Sequence, residues 1–517
     1  MNPKPSNNVI GRFTEIGELC RTFKAATHRS LIFLAVVLAL EASHLVLSNR
    51  SGAMAFVLIG LGSFLALSVW CSSAIGLPLL PVLAVQSLII YGLPIVVGHG
   101  VILTYPREMV FQAGQEVLIF QVAMALSWKF GMQLFHPSPP VSYALSDLMR
   151  SGDKGWGRLG FGMIAGTTAF QVLQSFNLLD SVTALLPNGS VSILYTLVSV
   201  VSASAFFLTS MSIADGSTSF TAKAFFWLLL ILSALITASG LLLYAAAANL
   251  ITVAIGFFWS SGRIPWRYLV ISMLALSFLN MGKTTMRERY WGAEGESITV
   301  PTLGQLPAFY AEWSETCLDA ILENRTSKKT GGNAQETKAN SNQTLLDRID
   351  NLQNLLFVID AIETQHISAL HGATYALIPP LLVPRVLVPN KPRSHEGQVL
   401  LNVHFGRQDI NSTFSTYVAW GLLPEAYGNF GAYWGSLFLG ALLGLSFAWI
   451  ENLTARRLLF STEGFLSLSL LMNFMNSFEM VSSVFVTSTF QSFMVIIGAS
   501  LPFVRRVALK RSHGNGD

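Results

Sequence analysis

Long apolar runs recur along the chain at 31–47, 53–71, 77–98, 116–135, 158–178, 190–211, 224–242, 245–260, 268–281, 430–450, 458–476 and 480–503. Most approach the roughly 20 residues a helix needs to cross about 30 Å of hydrocarbon. The pattern predicts an all-α integral membrane protein with about 12 transmembrane helices. It divides into a tail over 1–30, a bundle of about nine helices over 31–281, a large loop over 282–429, further helices over 430–503 and a tail over 504–517.

Within the loop the pattern changes. PAFYAEWSETCLDAILEN reads as a helix, and the polar stretch 326–344 as a mobile insert. Leu345, Ile349, Leu352, Leu356 and Ile359 recur at helical spacing, which predicts an amphipathic helix lying on the membrane or on the bundle. ISALHGATYALIPPLLV (367–383) is apolar, but Pro379, Pro380 and Pro384 interrupt it. It predicts a broken or re-entrant helix, tolerated where protein or water meets the backbone.

Composition agrees with the pattern. The 517 residues are 52% hydrophobic and 12% charged, against about 25% charged in a soluble chain. A net charge of +4 gives no sign of a nucleic-acid partner. Cys20, Cys71 and Cys317 are scattered and imply no disulfide framework. The first 29 residues are too long and polar to resemble a cleaved signal peptide. Basic residues set the orientation. Lys4 to Arg29, then Arg150, Lys154 and Arg158, then Arg263 and Arg267, then Arg456 and Arg457, and finally Arg505 to Arg511 all fall on one side of twelve spans. That side is the cytoplasm, so both termini are cytoplasmic and 282–429 is extracytoplasmic.

This loop holds the candidate chemistry. Between 385 and 407, four cations (Arg385, Lys391, Arg393 and Arg407) accompany one acid, Glu396, with His395 and His404 among them. Charge this close to a bilayer is costly unless it serves a function. The guanidinium fork suits phosphate oxygens, and lysine adds a point charge. Such a pocket could grip a pyrophosphate held at the membrane by a lipid tail and carry the charge of a departing diphosphate. A basic loop that binds lipid headgroups is the plainer alternative. No spacing here resembles a divalent-metal site. Glu425 could cap a helix or take a proton from a sugar hydroxyl. His395 and His404 could be scaffold or acid/base groups. Gly428 and Gly431 read as close-packing positions, and Gly435, Gly440 and Gly444 as a small-residue face for helix contact.

YALIPPLLVPRVLVPNKP, followed by STFSTYVAWGLLPEAYGNFGAYWG, resembles the C-terminal signature of Wzy-type oligosaccharide repeat-unit polymerases, the O-antigen and exopolysaccharide polymerases. The first motif falls on Val383, Pro384, Arg385, Lys391 and Pro392. The second falls on Glu425, Tyr427, Asn429, Phe430 and Gly431. The resemblance covers about 345–450. It implies a GT-C-like membrane glycosyltransferase of the bacterial inner membrane. Such an enzyme moves a glycan from undecaprenyl pyrophosphate to a sugar hydroxyl of a new lipid-linked repeat unit, with no metal and no other cofactor. Its expected partners are the lipid-linked oligosaccharide, membrane lipids, a chain-length co-polymerase and a flippase.

The family's reliance on outer-loop arginines carries over to Arg385, and further to Arg348, Arg393 and Arg407. Arg385, Lys391 and Arg393 would hold the diphosphate, with Arg407 in reserve. Glu425, His395 or His404 would take the acceptor proton. Tyr427 and Asn429 belong to the sugar-binding set, and Trp291, Trp313, Trp420 and Trp434 could stack on sugars or anchor the membrane interface. The insert 326–344 departs from a compact family member, and Arg107 in TYPREMV is the only candidate for a second arginine loop.

Three rivals stand beside this reading. One is an O-antigen ligase. Another is a transporter or flippase of lipid-linked sugar, for which Glu41, His44, Lys129 and Glu479 are thin support. The last is a membrane cysteine transpeptidase built on Cys317.

Overall fold

A computed structural model describes residues 16–137, 155–176, 190–214, 218–290, 301–329, 349–457 and 480–494, apart from 262–264, 384–387, 415–417 and a few single residues, with isolated positions elsewhere. All regular structure among them is helical. In chain order, the first helices are α1 (Ile16–Leu47), α2 (Ala53–Ser73), α3 (Leu79–Ser87), α4 (Leu93–Val97) and α5 (Arg107–Leu134). Next come α6 (Gly155–Ser175), α7 (Ser190–Ala214), α8 (Phe220–Ser239), α9 (Leu243–Ser261), α10 (Trp266–Tyr290) and α11 (Leu306–Lys329). The chain then forms α12 (Leu352–Glu363), α13 (Ala373–Ala376), α14 (Ile378–Leu382), α15 (Glu396–His404), α16 (Leu422–Phe430) and α17 (Trp434–Thr454).

Among the described residues, seven helical stretches are long and apolar enough to cross a membrane: 20–47, 53–73, 79–97, 107–134, 197–214, 220–239 and 434–454. They fall on seven of the twelve runs. The run 458–476 and much of 480–503 lie outside the described residues.

The chain divides into two compact units, one made of 12–148 with 349–517 and the other of 149–348 with 1–11. The second half of the large loop folds with the first five helices, whereas its first half folds with α6–α10. In the 149–348 unit, Phe206, Phe226, Val253 and Ile164 form one core. Met286, Phe309, Trp313 and Cys317 form another, where α11 lies along α10.

In the other unit, α17 packs along α5 backbone to backbone. A methyl group at Gly440 would meet the Phe120 carbonyl oxygen, and one at Gly444 the Met124 carbonyl oxygen. The small-residue face is therefore a helix contact, as its spacing predicted. Gly440→Ala and Gly444→Ala are each expected to destabilise the protein by roughly 1–3 kcal/mol. Thermal unfolding in detergent measures this, with Gly166→Ala as a control because nothing lies within 4 Å of its added methyl.

Two carboxylates hold the ends of α17. Glu116 of α5 accepts the Tyr433 N–H at 2.8 Å and the Ser436 hydroxyl, which satisfies donors at the helix start. Near the other end, Glu451 accepts the N–H groups of Ile75 and Gly76 and the Trp128 indole, each at 2.9 Å. Both carboxylates are buried.

Local structure adds detail to three of the expected segments. α1 begins at Ile16, ahead of the apolar run at 31–47. Ile16 is fully buried and its N–H donates to the Arg457 carbonyl at 3.1 Å. The span expected at 430–450 is α17, and a turn with Gly431 at φ +74° and Tyr433 at φ +63° separates it from the short α16 before it. Gly431 has open space around it, so it serves backbone conformation rather than close packing. The expected amphipathic helix is α12, and of the two places expected for it, membrane or bundle, its apolar face packs on the bundle. Leu352, Leu355, Leu356, Val358 and Ile359 are all fully buried.

Proline chemistry explains how α12 docks. Pro94 has no N–H, so the carbonyl of Ile90 lacks its usual intrahelical donor. A π-helical turn, Leu88–Gly92, precedes it. The Asn351 N–H, at the head of α12, donates to that Ile90 carbonyl at 3.1 Å. Beside it, His99 Nδ1 lies 2.8 Å from Asp350 Oδ2.

Candidate functional site

The expected broken helix is two short helices, α13 and α14, after left-handed turns at His366, His371 and Gly372. Arg385 and Arg348, both expected at the site, lie outside the described residues. Lys391 turns back onto α14, where its Nζ donates to the carbonyls of Leu381 at 2.9 Å and Val383 at 2.7 Å. It thereby neutralises exposed carbonyls at a helix end. Arg393 Nε lies 3.1 Å from Glu396 Oε2, a half-exposed pair across one turn. His395 stands at the N-cap of α15, with Nδ1 2.8 Å from Gln398 Oε1. His404 Nε2 lies 2.7 Å from the Ser368 carbonyl, with its ring edge-on to Phe405. These four side chains all have protein partners.

Arg407 is different. A Schellman ending fixes its backbone: Arg407 N–H donates to the Asn402 carbonyl, Gly406 N–H donates to the Val403 carbonyl, and Gly406 takes φ +70°. Its guanidinium lies over the Phe357 ring at 5.2 Å and near Trp420 at 5.8 Å. Trp420 is fully buried, and its indole donates to Asn402 Oδ1 at 2.6 Å. The only hydrogen bond from the Arg407 side chain among the described residues is a long one, 3.4 Å to the Ala419 carbonyl. Burial lowers its pKa to about 10, while Tyr105 nearby favours the charged form. It is therefore charged at neutral pH, half-buried, and retains N–H donors without a partner among the described residues. Such a group can bind an anion in two-point contacts.

The Glu-x-Tyr-x-Asn stretch forms α16, and its two sides do different things. Glu425 and Asn429 face Thr374. The Thr374 hydroxyl donates to Glu425 Oε1 at 2.7 Å, and the Ser482 N–H donates to Oε2. Asn429 Nδ2 donates to Thr374 Oγ1 and to the Glu425 carbonyl, both at 2.8 Å. Glu425 and Asn429 have no exposed surface. Burial pushes the Glu425 carboxyl up, partly offset by these donors. Glu425 joins α16 to α13, and none of the expected cations touches it among the described residues. Tyr427 points the other way. Its hydroxyl donates to Glu363 Oε1 at 3.0 Å and accepts from Gln112 Nε2 at 3.1 Å.

The structure therefore gathers Arg407, Phe357, Tyr105, Asp360, Glu363, Tyr427 and Gln112 along the polar side of α12. Sequence reasoning named Arg407 and Tyr427 but missed the other five. Phe357, Asp360 and Glu363 form an i, i+3, i+6 ridge opposite the apolar positions of α12, and that ridge was the readable signal. Two of the candidate sugar-stacking rings, Trp313 and Trp420, are buried, whereas Trp434 is 70% exposed. Trp291 lies outside the described residues. Cys317 is buried against α10, and burial raises its thiol pKa. This is the environment of an inert cysteine rather than a nucleophile.

No protein-family model, curated protein or solved structure matches the chain.

Proposed function

We propose that the protein is a glycosyltransferase of the bacterial inner membrane that joins undecaprenyl-pyrophosphate-linked oligosaccharide repeat units into a surface or secreted polysaccharide. In this reading the chain crosses the membrane about twelve times, both termini are cytoplasmic, and 282–429 faces outward. The acceptor hydroxyl oxygen bonds to the donor's anomeric carbon as the bond from that carbon to the diphosphate oxygen breaks. The diphosphate leaves with the electron pair, and the hydroxyl proton passes to a base. Arg407 is the observation that carries this reading, being a charged, half-buried guanidinium on aromatic faces with N–H donors to spare. Arg385 is the second proposed diphosphate ligand. Lys391 and Arg393 support the loop that carries it.

Deletion of the gene is expected to remove high-molecular-weight glycan from a gel of surface and secreted polysaccharide and to leave single repeat units. Free, unattached polymer in the deletion strain would point to a ligase instead. Unchanged glycan would overturn the proposal.

A further inference from the structure

We propose that Glu363, rather than Glu425 or a histidine, is the general base that accepts the acceptor hydroxyl's proton. This rests on the glycosyl-transfer reading above and names a group within it. A general base must reach the hydroxyl with an oxygen that is free to take a proton. Both oxygens of Glu425 are occupied and the residue has no exposed surface. His404 has its Nε2 on the Ser368 carbonyl. Glu363 is exposed at the end of α12. Its Oε1 is fixed by the Tyr427 hydroxyl at 3.0 Å, while Oε2 has no hydrogen-bond partner among the described residues.

Tyr427 makes this a built arrangement rather than a surface acid. The phenol is fully buried, and Gln112 Nε2 donates to its oxygen at 3.1 Å. Burial, and then Glu363 itself, push its pKa up, so the phenol keeps its proton and presents it to Glu363. One oxygen of Glu363 is thus an oriented acceptor, and the other has no hydrogen-bond partner among the described residues. Arg407 lies on Phe357, six residues earlier on the same helix, which is roughly 9 Å along the axis. Tyr105 is close enough to both Asp360 and Arg407 to feel their charges. A diphosphate on Arg407 and an attacking hydroxyl on Glu363 would lie at two ends of one strip. The hydroxyl's oxygen–hydrogen bond breaks, its proton passes to Glu363 Oε2, and its electron pair forms the bond to the anomeric carbon.

The test uses purified full-length protein in detergent with the lipid-linked repeat unit extracted from the deletion strain. Glu363→Gln is expected to lower the rate of glycosidic-bond formation about 10²- to 10⁴-fold, with an unchanged melting temperature. Glu363→Asp is expected to stay within about tenfold of wild type, and Glu363→Ala to regain activity with added formate. A Glu363→Gln rate within twofold of wild type would overturn the assignment of the base and leave the glycosyl-transfer reading standing. A wild-type protein that forms no glycosidic bond would overturn that reading, and this assignment with it.

Discussion

Arg407→Ala is expected to lower glycan polymerisation by at least about a hundredfold, the usual scale for removing a preorganised charge from a developing anion. The folded protein should survive the change. Among the described residues the Arg407 side chain makes one long hydrogen bond and lies against two rings, and its backbone is held by the Schellman ending at Gly406. Arg407→Lys keeps the charge but loses the planar fork, so it should fall between wild type and alanine. Lys391→Ala and Arg393→Ala should each cost less than about tenfold. These cations already serve the carbonyls of Leu381 and Val383 and the Glu396 carboxylate, and full transition-state stabilisation requires donors free to meet the departing charge. Polymer length in complemented deletion strains and initial rates of the purified protein measure the series. Normal polymer from Arg407→Ala would remove this residue from the site and return attention to Arg385.

The ranking of these cations shows where sequence reading stops. Their presence, the prolines among them and the broken apolar segment were all legible. Their roles were not, because the groups that engage Lys391 are backbone carbonyls, and every residue carries one. Only the path of the chain decides which carbonyl an ammonium meets. The docking of α12 had the same obstacle. Pro94 signals a carbonyl without its donor, but nothing in the sequence says that Asn351, more than 250 residues later, supplies the N–H. The helices α2, α5 and α17 were legible because a long apolar run has few alternatives. The turn between α16 and α17 was not legible, since nothing in the sequence says that Tyr433 takes a left-handed backbone beside Gly431. Glu116 was readable in principle as a lone acid inside a span. Its role in holding the start of α17 required the position of a partner more than 300 residues away.

Glu425→Ala is expected to destabilise the protein by roughly 2–6 kcal/mol, because it leaves the Thr374 hydroxyl and the Ser482 N–H buried without an acceptor at about 1–3 kcal/mol each. Against a total stability of about 5–15 kcal/mol, much of the protein should fail to fold or be degraded. Glu425→Gln should be far milder. The amide oxygen can keep the Ser482 N–H, and the Thr374 hydroxyl can rotate to accept from the amide nitrogen. The pair also gives a pH signature. Burial raises the Glu425 carboxyl above its ordinary value of 4.5, so the unfolded chain ionises first as pH rises. The linked stability is complete below 4.5 and is lost as pH climbs through the folded-state value. Melting temperatures of wild type and Glu425→Gln should therefore diverge across that window, with the glutamine variant lacking the wild-type decline. If glutamine preserves both fold and polymer, the carboxyl at 425 is a strut between α16 and α13. A folded glutamine variant with no turnover would instead place this carboxylate in the reaction and displace Glu363 from it.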